Sequence, residues 1–272
     1  MNIEICFERQ PLIILGMHRS GTSLLASWLR CCGLFIGHQL MPAGIGNKKG
    51  HFEDEQFVKL HRLLLRENTY PWQRWSRLPD FKQATTTLLS TVLTQHQHPW
   101  GWKDPRTCLF IDKWHQVFPD ARAVVIFRKP EDVVDSLIRR ELVAQQRRKN
   151  RPAAWFVLIN YRVNKKSVAN KYLKKWIVYN KKIIEFLAKK SLGEYSIIEV
   201  SRLLEQDKLV FDKINNSLGL VLTYMPIRTV FDKELLQPGS QENYSFNATL
   251  YQQAMHIYQQ MQSLSTCSLD KK

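Results

Sequence analysis

The sequence predicts a P-loop-type, three-layer α/β fold: a central parallel β-sheet with helices on both faces. Three observations predict it. Strand-length apolar runs alternate with helix-length amphipathic segments, the order that builds parallel sheets. One run, Ala123 to Phe127 (AVVIF), is apolar without alternation, as a strand covered on both faces must be. The run Leu12 to Leu15 passes through the octapeptide GMHRSGTS, Gly16 to Ser23, straight into an apolar-periodic segment. That is a strand, a glycine-bounded turn and a helix, with free N–H groups and the helix dipole facing the turn.

The elements follow in order. Leu12 to Leu15 reads as the first strand and Gly21 to Cys32 as the first helix, with Leu24, Leu25, Trp28 and Leu29 at helical spacing. Gly33 stands where a C-terminal glycine ends a helix. The stretch from Gly37 to Gly50, GHQLMPAGIGNKKG, is a loop by composition. After His51-Phe52-Glu53-Asp54 comes a helix through Phe57, Leu60, His61 and Leu64. Residues 68–80 carry Trp72, Trp75 and two prolines and read as an insertion or lid edge. Phe81 to Gln97 is predicted helical. Trp100 to Arg106 is a short strand entering a proline turn, and Thr107 to Val117 a helix. Arg128 ends the AVVIF strand; Pro130 then opens a helix whose first turn carries Glu131 and Asp132. In the basic region that follows, Tyr172, Trp176, Tyr179, Ile183 and Phe186 share one helical face and read as core, with lysines on the other. Tyr195 to Val200 is a strand, Leu209 to Leu218 a helix ended by Gly219, residues 228–247 a loop, and Thr249 to Leu264 a polar helix. No repeat and no linker divides the 272 residues, so one domain is expected over 1–272.

Composition narrows the partners. The net charge is +16, and the stretch Arg139 to Lys190 alone carries sixteen Lys/Arg against Glu141 and Glu185. A one-sided excess of this size points to an anionic partner, whether nucleic acid, an anionic glycan or an anionic lipid surface. The five cysteines, Cys6, Cys31, Cys32, Cys108 and Cys267, show no C-x-x-C spacing, which argues against a disulfide framework or zinc and for a reducing compartment. Cys31 and Cys32, ending an apolar helix, read as small core residues. His96 and His98 lie in a polar stretch and make a weak metal-ligand pair. No apolar run reaches the ~20 residues of a membrane span, and Glu4 and Glu8 interrupt any signal peptide. A cytoplasmic protein is expected.

The turn's chemistry departs from the ATP-binding pattern. Its spacing is G-x-x-x-x-G, but Thr22 occupies the slot of the usual lysine, and a cation, Arg19, sits inside the loop. A Mg-nucleotide site also needs a downstream Asp on the metal, whereas the clearest internal strand ends in Arg128. Backbone donors, two hydroxyls and a cation suit a smaller anionic group. Arg128 and Ser136, eight apart on a strand end and the next helix, can face the same crevice at the sheet's C-terminal edge. Two adjacent phosphate sites imply a nucleotide carrying phosphates at both ends of its ribose.

These residues resemble the sulfotransferases. GMHRSGTS looks like their 5′-phosphosulfate loop, and VVIFRKPEDVVDSLIRR like their 3′-phosphate segment. The resemblance covers Leu12 to about Arg140, so 12–140 is expected to be the nucleotide-binding core and 141–272 a basic helical region with a further strand and C-terminal helices. It implies 3′-phosphoadenosine-5′-phosphosulfate (PAPS) as donor, no metal, and sulfuryl transfer to an acceptor hydroxyl. By position, Arg19 contacts the transferring group. His18, Arg19, Ser20, Gly21, Thr22 and Ser23 form the 5′ site, and Arg128 and Ser136 the 3′-phosphate site. Glu53 is the first choice for the base that takes the acceptor's proton, His51 the second and Asp54 the third; Glu53 and Asp54 could instead simply favour the next helix's N-terminus. Lys103 and Arg106 in WKDPR resemble a segment of the family in which a basic residue lines the site; Lys103 would stabilise the leaving phosphate, or else pair with Asp104. The family's YEDL segment aligns with Val200-Ser201-Arg202-Leu203, which lacks its aromatic, and the closing RKG of the small-molecule enzymes is absent, leaving residues 234–247 to close the site. Both departures point to the bacterial or carbohydrate-type branches. The acceptor implied is a carbohydrate or glycolipid hydroxyl, with nucleic acid disfavoured and contact with an anionic membrane left open. The alternatives are an atypical P-loop kinase and a non-catalytic polyanion-binding module.

Overall fold

A computed structural model describes residues 10–44, 50–66, 80–92, 99–147, 159, 161, 163–231 and 244–270. Among the described residues, four strands form one parallel sheet: β1 (Leu12–Leu15), β2 (Gly101–Lys103), β3 (Arg122–Phe127) and β4 (Tyr195–Glu199), in the order β2-β1-β3-β4. In register, Ile14 lies beside Lys103 and Leu15 beside Val125, while Phe127 lies beside Glu199. Because all four run the same way, the ends of β2, β1, β3 and β4 share one edge. The chain changes direction across the sheet at β1, where ligands of open α/β sheets bind.

Side-chain alternation splits the core in two. Leu12 and Ile14 of β1, with Val124 and Ile126 of β3, face α1 (Thr22–Cys31), α7 (Val200–Glu205) and α8 (Asp207–Ser217). Ile13, Leu15, Val125 and Phe127 face the other way. There they meet α2 (Glu55–Leu64), α3 (Phe81–Val92), α4 (Ile111–Val117), α5 (Pro130–Gln146), α6 (Lys165–Leu187) and α9 (Ala248–Asp270). This two-sided burial is why AVVIF carries no polar alternation. The C-terminal segment is tied to the end of β4 and to α5: the Tyr258 hydroxyl donates to Glu199, that of Tyr251 to Glu131, and that of Tyr244, just before α9, to Asp135 at 3.0 Å.

Several boundaries differ from expectation. The segment expected as one helix from Thr107 is a 3₁₀ turn, Pro105–Leu109, and α4, broken at Phe110. Asp104 caps the 3₁₀ turn and Pro105 opens it, so the tighter winding starts before the helical periodicity does. β4 stops at Glu199 because Val200 begins α7, a helix the apolar pattern did not reveal. On α6, Trp176, Ile183 and Phe186 are buried as expected, with Leu173 and Asn180 beside them; Tyr172 and Tyr179 are half-buried, while Lys171, Lys174, Lys175 and Lys181 are exposed. Cys31 is exposed rather than in the core, since only one side of α1's last turn meets the sheet; Cys32 and Cys108 are buried, and all three are free. His96, His98, residues 68–79 of the lid-edge stretch and 234–243 of the closing stretch lie outside the described residues. Among the described residues, no helix is long and apolar enough to cross a membrane, and no cluster of ligand-type side chains could hold a metal.

Candidate active site

The turn after β1 is built by its two glycines. Gly16 has φ 153°, and a Cβ there would lie 2.4 Å from the Ile126 carbonyl oxygen. Gly21 has φ 94°, and a Cβ there would lie 2.9 Å from Val200 Cγ2. The turn thus lies hard against β3 and α7, closer than any side chain allows. Gly21 is also the N-cap of α1 and brings no side chain to satisfy the helix's first N–H groups. Arg19 takes a left-handed φ of 72°, a costly conformation for a non-glycine residue. Ser20 is fully buried and its hydroxyl has no hydrogen-bond partner among the described residues. Helix N–H groups without a side-chain cap, an orphaned hydroxyl and a held cation fit a phosphate or phosphosulfate group. Beneath the turn, Gly16 N–H donates to Cys108 Sγ at 3.4 Å, and burial pushes that thiol up to about 12, so it stays protonated.

On the β3 side, the two predicted phosphate segments meet. Arg19 Nε donates to Ser136 Oγ at 2.8 Å, across 117 residues of chain. Arg128 leaves β3 with its Nε 3.1 Å from Asp132 Oδ2. Burial, followed by the charges of Arg140, Arg128 and Arg139, lowers the Arg19 guanidinium to about 10. Four cations share this neighbourhood; Asp132 and Asp135 offset Arg128 and Arg139. A bound anion would relieve the rest.

On the β2 side lies the second cluster. Lys103, fully buried at the end of its strand, donates from Nζ to Glu53 Oε1 at 2.7 Å, to Ser23 Oγ at 3.2 Å and to the His51 carbonyl. Ser23 Oγ donates to the same carbonyl at 3.2 Å. Burial lowers the lysine's pKa, with Glu53 acting against that fall. Phe52, between the two candidate bases, has a left-handed φ of 53°. The loop backbone pins this segment: Met41 N–H donates to the Glu53 carbonyl at 2.7 Å and His51 N–H to the Met41 carbonyl at 3.3 Å. Burial, then the cations Lys103, Arg140 and Arg19, lower His51 although Glu53 raises it, so the ring is neutral at pH 7. His18, edge-on to the Tyr179 ring at 5.9 Å, is pushed down to about 3 by burial and then by Arg106, Lys103 and Arg140, against Asp104.

The geometry separates two pairs of alternatives. Asp54, the third candidate base, is the N-cap of α2, accepting from Gln56 N–H at 2.9 Å and from Gln39 N–H at 3.3 Å. That capping role does not extend to Glu53, whose carboxylate faces Lys103. Lys103 does not pair with Asp104, because neighbours on a strand point to opposite sides. Asp104 instead meets His61 Nδ1 at 2.8 Å and Arg106 Nη1 at 3.1 Å. One cation noted only as a basic residue of WKDPR, and one that the sequence reading passed over, join the site. Arg106 places Nη1 3.8 Å from Glu53 Oε2. Arg140, one turn beyond Ser136 on α5, lowers Arg19, His18 and His51 together. A four-residue step from Ser136 was the available signal for Arg140.

The chain matches the model of the "Sulfotransferase family" over residues 11–201. No curated protein matches it. Among solved structures it is similar to the sulfotransferase domain of the olefin synthase from Synechococcus PCC 7002, with TM-score 0.54 and 16% identity over 93% of this chain and 94% of that one. A sulfotransferase from Alicyclobacillus acidocaldarius superposes with TM-score 0.54 and 12% identity, covering 97% of each chain. Sulfotransferase STF1 from Mycobacterium tuberculosis gives TM-score 0.55 and 15% identity, over 94% of this chain and 77% of that one. At these identities the solved structures establish the fold; the family rests on the model match.

Proposed function

The chain belongs to the sulfotransferase family, and from that premise we propose that it moves a sulfuryl group from PAPS to a hydroxyl of a carbohydrate or glycolipid. The observation that carries this reading is the Ser23–Lys103–Glu53 chain. A hydroxyl of the phosphate loop, a buried cation and a carboxylate are joined by contacts of 3.2 and 2.7 Å. When bound, the donor supplies a sulfuryl group on a phosphate leaving group. The α1 N-terminus with Ser20, Thr22 and Ser23 would hold its 5′ end, and Arg128 and Ser136 its 3′-phosphate. Arg19 joins the two sites through Ser136 and supplies positive charge between them. Lys103, already bonded to Ser23, stabilises negative charge growing on the leaving phosphate. Glu53 takes the proton from the acceptor hydroxyl; His51, neutral and adjacent, is the second choice. Such transfer depends on in-line positioning and charge stabilisation, which these side-chain cations provide. The exposed lysines of α6 support an anionic acceptor such as a polysaccharide or lipid-linked sugar.

The test is transfer of labelled sulfate from PAPS to a panel of oligosaccharides and glycolipids, with calorimetry of adenosine 3′,5′-bisphosphate alongside. We expect bisphosphate binding that Arg128→Ala weakens, and turnover that Glu53→Gln lowers by about 100-fold or more while leaving a measurable residual rate. Wild-type turnover in Arg128→Ala would overturn the site assignment, and wild-type turnover in Glu53→Gln would overturn the choice of base.

A further inference from the structure

A buried chain of hydrogen bonds ends at Arg106, whose guanidinium stands 3.8 Å from Glu53. Trp114 Nε1–H donates to His61 Nε2 at 2.9 Å. That nitrogen therefore carries a lone pair, and the ring proton sits on Nδ1, donating to Asp104 Oδ2 at 2.8 Å. Asp104 Oδ1 in turn accepts from Arg106 N–H at 2.9 Å and Arg106 Nη1 at 3.1 Å. Nη1 stands 3.8 Å from Glu53 Oε2, while Lys103 holds Oε1. His61, Asp104 and Trp114 are fully buried, and His61 stacks on Phe110 at 5.6 Å. Burial by itself would raise the Asp104 carboxyl; His61 and then Arg106 outweigh it and hold the group well below the usual carboxylate range. A wholly buried aspartate with both oxygens committed is a rigid anchor.

We propose that Arg106, anchored by the Trp114–His61–Asp104 chain, is a positioning residue that fixes the Glu53 carboxylate for proton removal. This rests on the reading of Glu53 as the base. One cation on each oxygen fixes the carboxylate's rotation about its terminal bond, which a single contact to Lys103 leaves loose. Misplacing a reacting group by ~1 Å can cost ~100-fold in rate. The chain also explains the buried histidine and aspartate, which the phosphate and proton-transfer roles leave unused.

The experiment measures labelled sulfate released from PAPS to water, the simplest hydroxyl acceptor, under saturating PAPS. Arg106→Ala should lower kcat by about 10- to 100-fold, with KM for PAPS changed less than about twofold. Arg106→Lys should recover part of the loss, because an ammonium can still reach Oε2. In the Glu53→Gln background, Arg106→Ala should cost less than about twofold more, since the group it positions is gone. A full additional loss in that background would mean that Arg106 acts on the fold generally, and would overturn the proposal. So would unchanged kcat in Arg106→Ala alone. Adenosine 3′,5′-bisphosphate affinity checks that each variant is folded; should Arg106→Ala not fold, Arg106→Gln takes its place in the same cycle. If the wild-type protein neither binds the bisphosphate nor turns over PAPS, the transfer reading falls and this inference with it. Turnover with an additive cycle overturns this inference alone.

Discussion

Lys103 and Glu53 should behave as one energetic unit. Lys103 is fully buried and Glu53 is 8% exposed, with 2.7 Å between Nζ and Oε1. Lys103→Met leaves a nearly buried carboxylate whose remaining cation among the described residues is Arg106, at 3.8 Å. Removing one partner of a buried pair costs roughly 3–5 kcal/mol, and the remaining arginine places this case near the lower end, about 3 kcal/mol. At ~2–4 °C per kcal/mol for a chain of this size, the melting temperature should fall by roughly 6–12 °C. Glu53→Gln strands the lysine and should cost a similar amount. The double variant buries no charge, so the two losses should fail to add by about 2–3 kcal/mol. Urea unfolding followed by tryptophan fluorescence reads this directly, since Trp102 sits next to Lys103 and stacks on Phe57 at 4.9 Å. Two single losses below about 1 kcal/mol that simply add would place the pair with solvated surface bridges and refute the reasoning.

Further outcomes follow from the same geometry. Gly16→Ala, which forces a Cβ to within 2.4 Å of a carbonyl oxygen, should abolish bisphosphate binding and destabilise the fold by more than about 2 kcal/mol, checked by calorimetry and thermal melting. Arg19→Ala removes the bond to Ser136 and the loop's cation; sulfate transfer should fall by about 100-fold or more while the protein stays folded by circular dichroism. His18 stays neutral when folded down to about pH 3, whereas in the unfolded chain it takes up a proton below 6.5. Its stabilising contribution is therefore complete above pH 6.5 and drains as pH falls toward 3, with a slope up to ~1.4 kcal/mol per unit. His51, lowered too, adds in the same direction. His18→Gln should flatten part of that slope in urea midpoints recorded from pH 7 to 4.

Local features were legible and distant ones were not. The strand, turn and helix around Gly16 to Ser23 involve contacts within a few residues, so spacing alone revealed them. The boundary between the 3₁₀ turn and α4 was hidden because apolar periodicity hardly separates i+3 from i+4 winding. Glu53 could be nominated from its place after the first helix, and Asp54 could not be set aside until its oxygens were seen on the N–H groups of Gln39 and Gln56. Arg106 could be noted in WKDPR but given no partner, because it bridges Asp104 to a carboxylate 53 residues earlier.

By itself, the sequence determined the α/β class, the anion-binding turn without its lysine, and the family, because each is written in contiguous residue types and their periodicity. The tertiary structure decided the pairings. The strand order β2-β1-β3-β4 sets the phosphate loop between two neighbours, and so sends Lys103 to one flank and Arg128 with Ser136 to the other. Arg19 meets Ser136, and Lys103 meets Glu53 instead of the adjacent Asp104. Such contacts follow from which strand ends share an edge and from which side of a strand a residue faces, and chain order alone fixes neither.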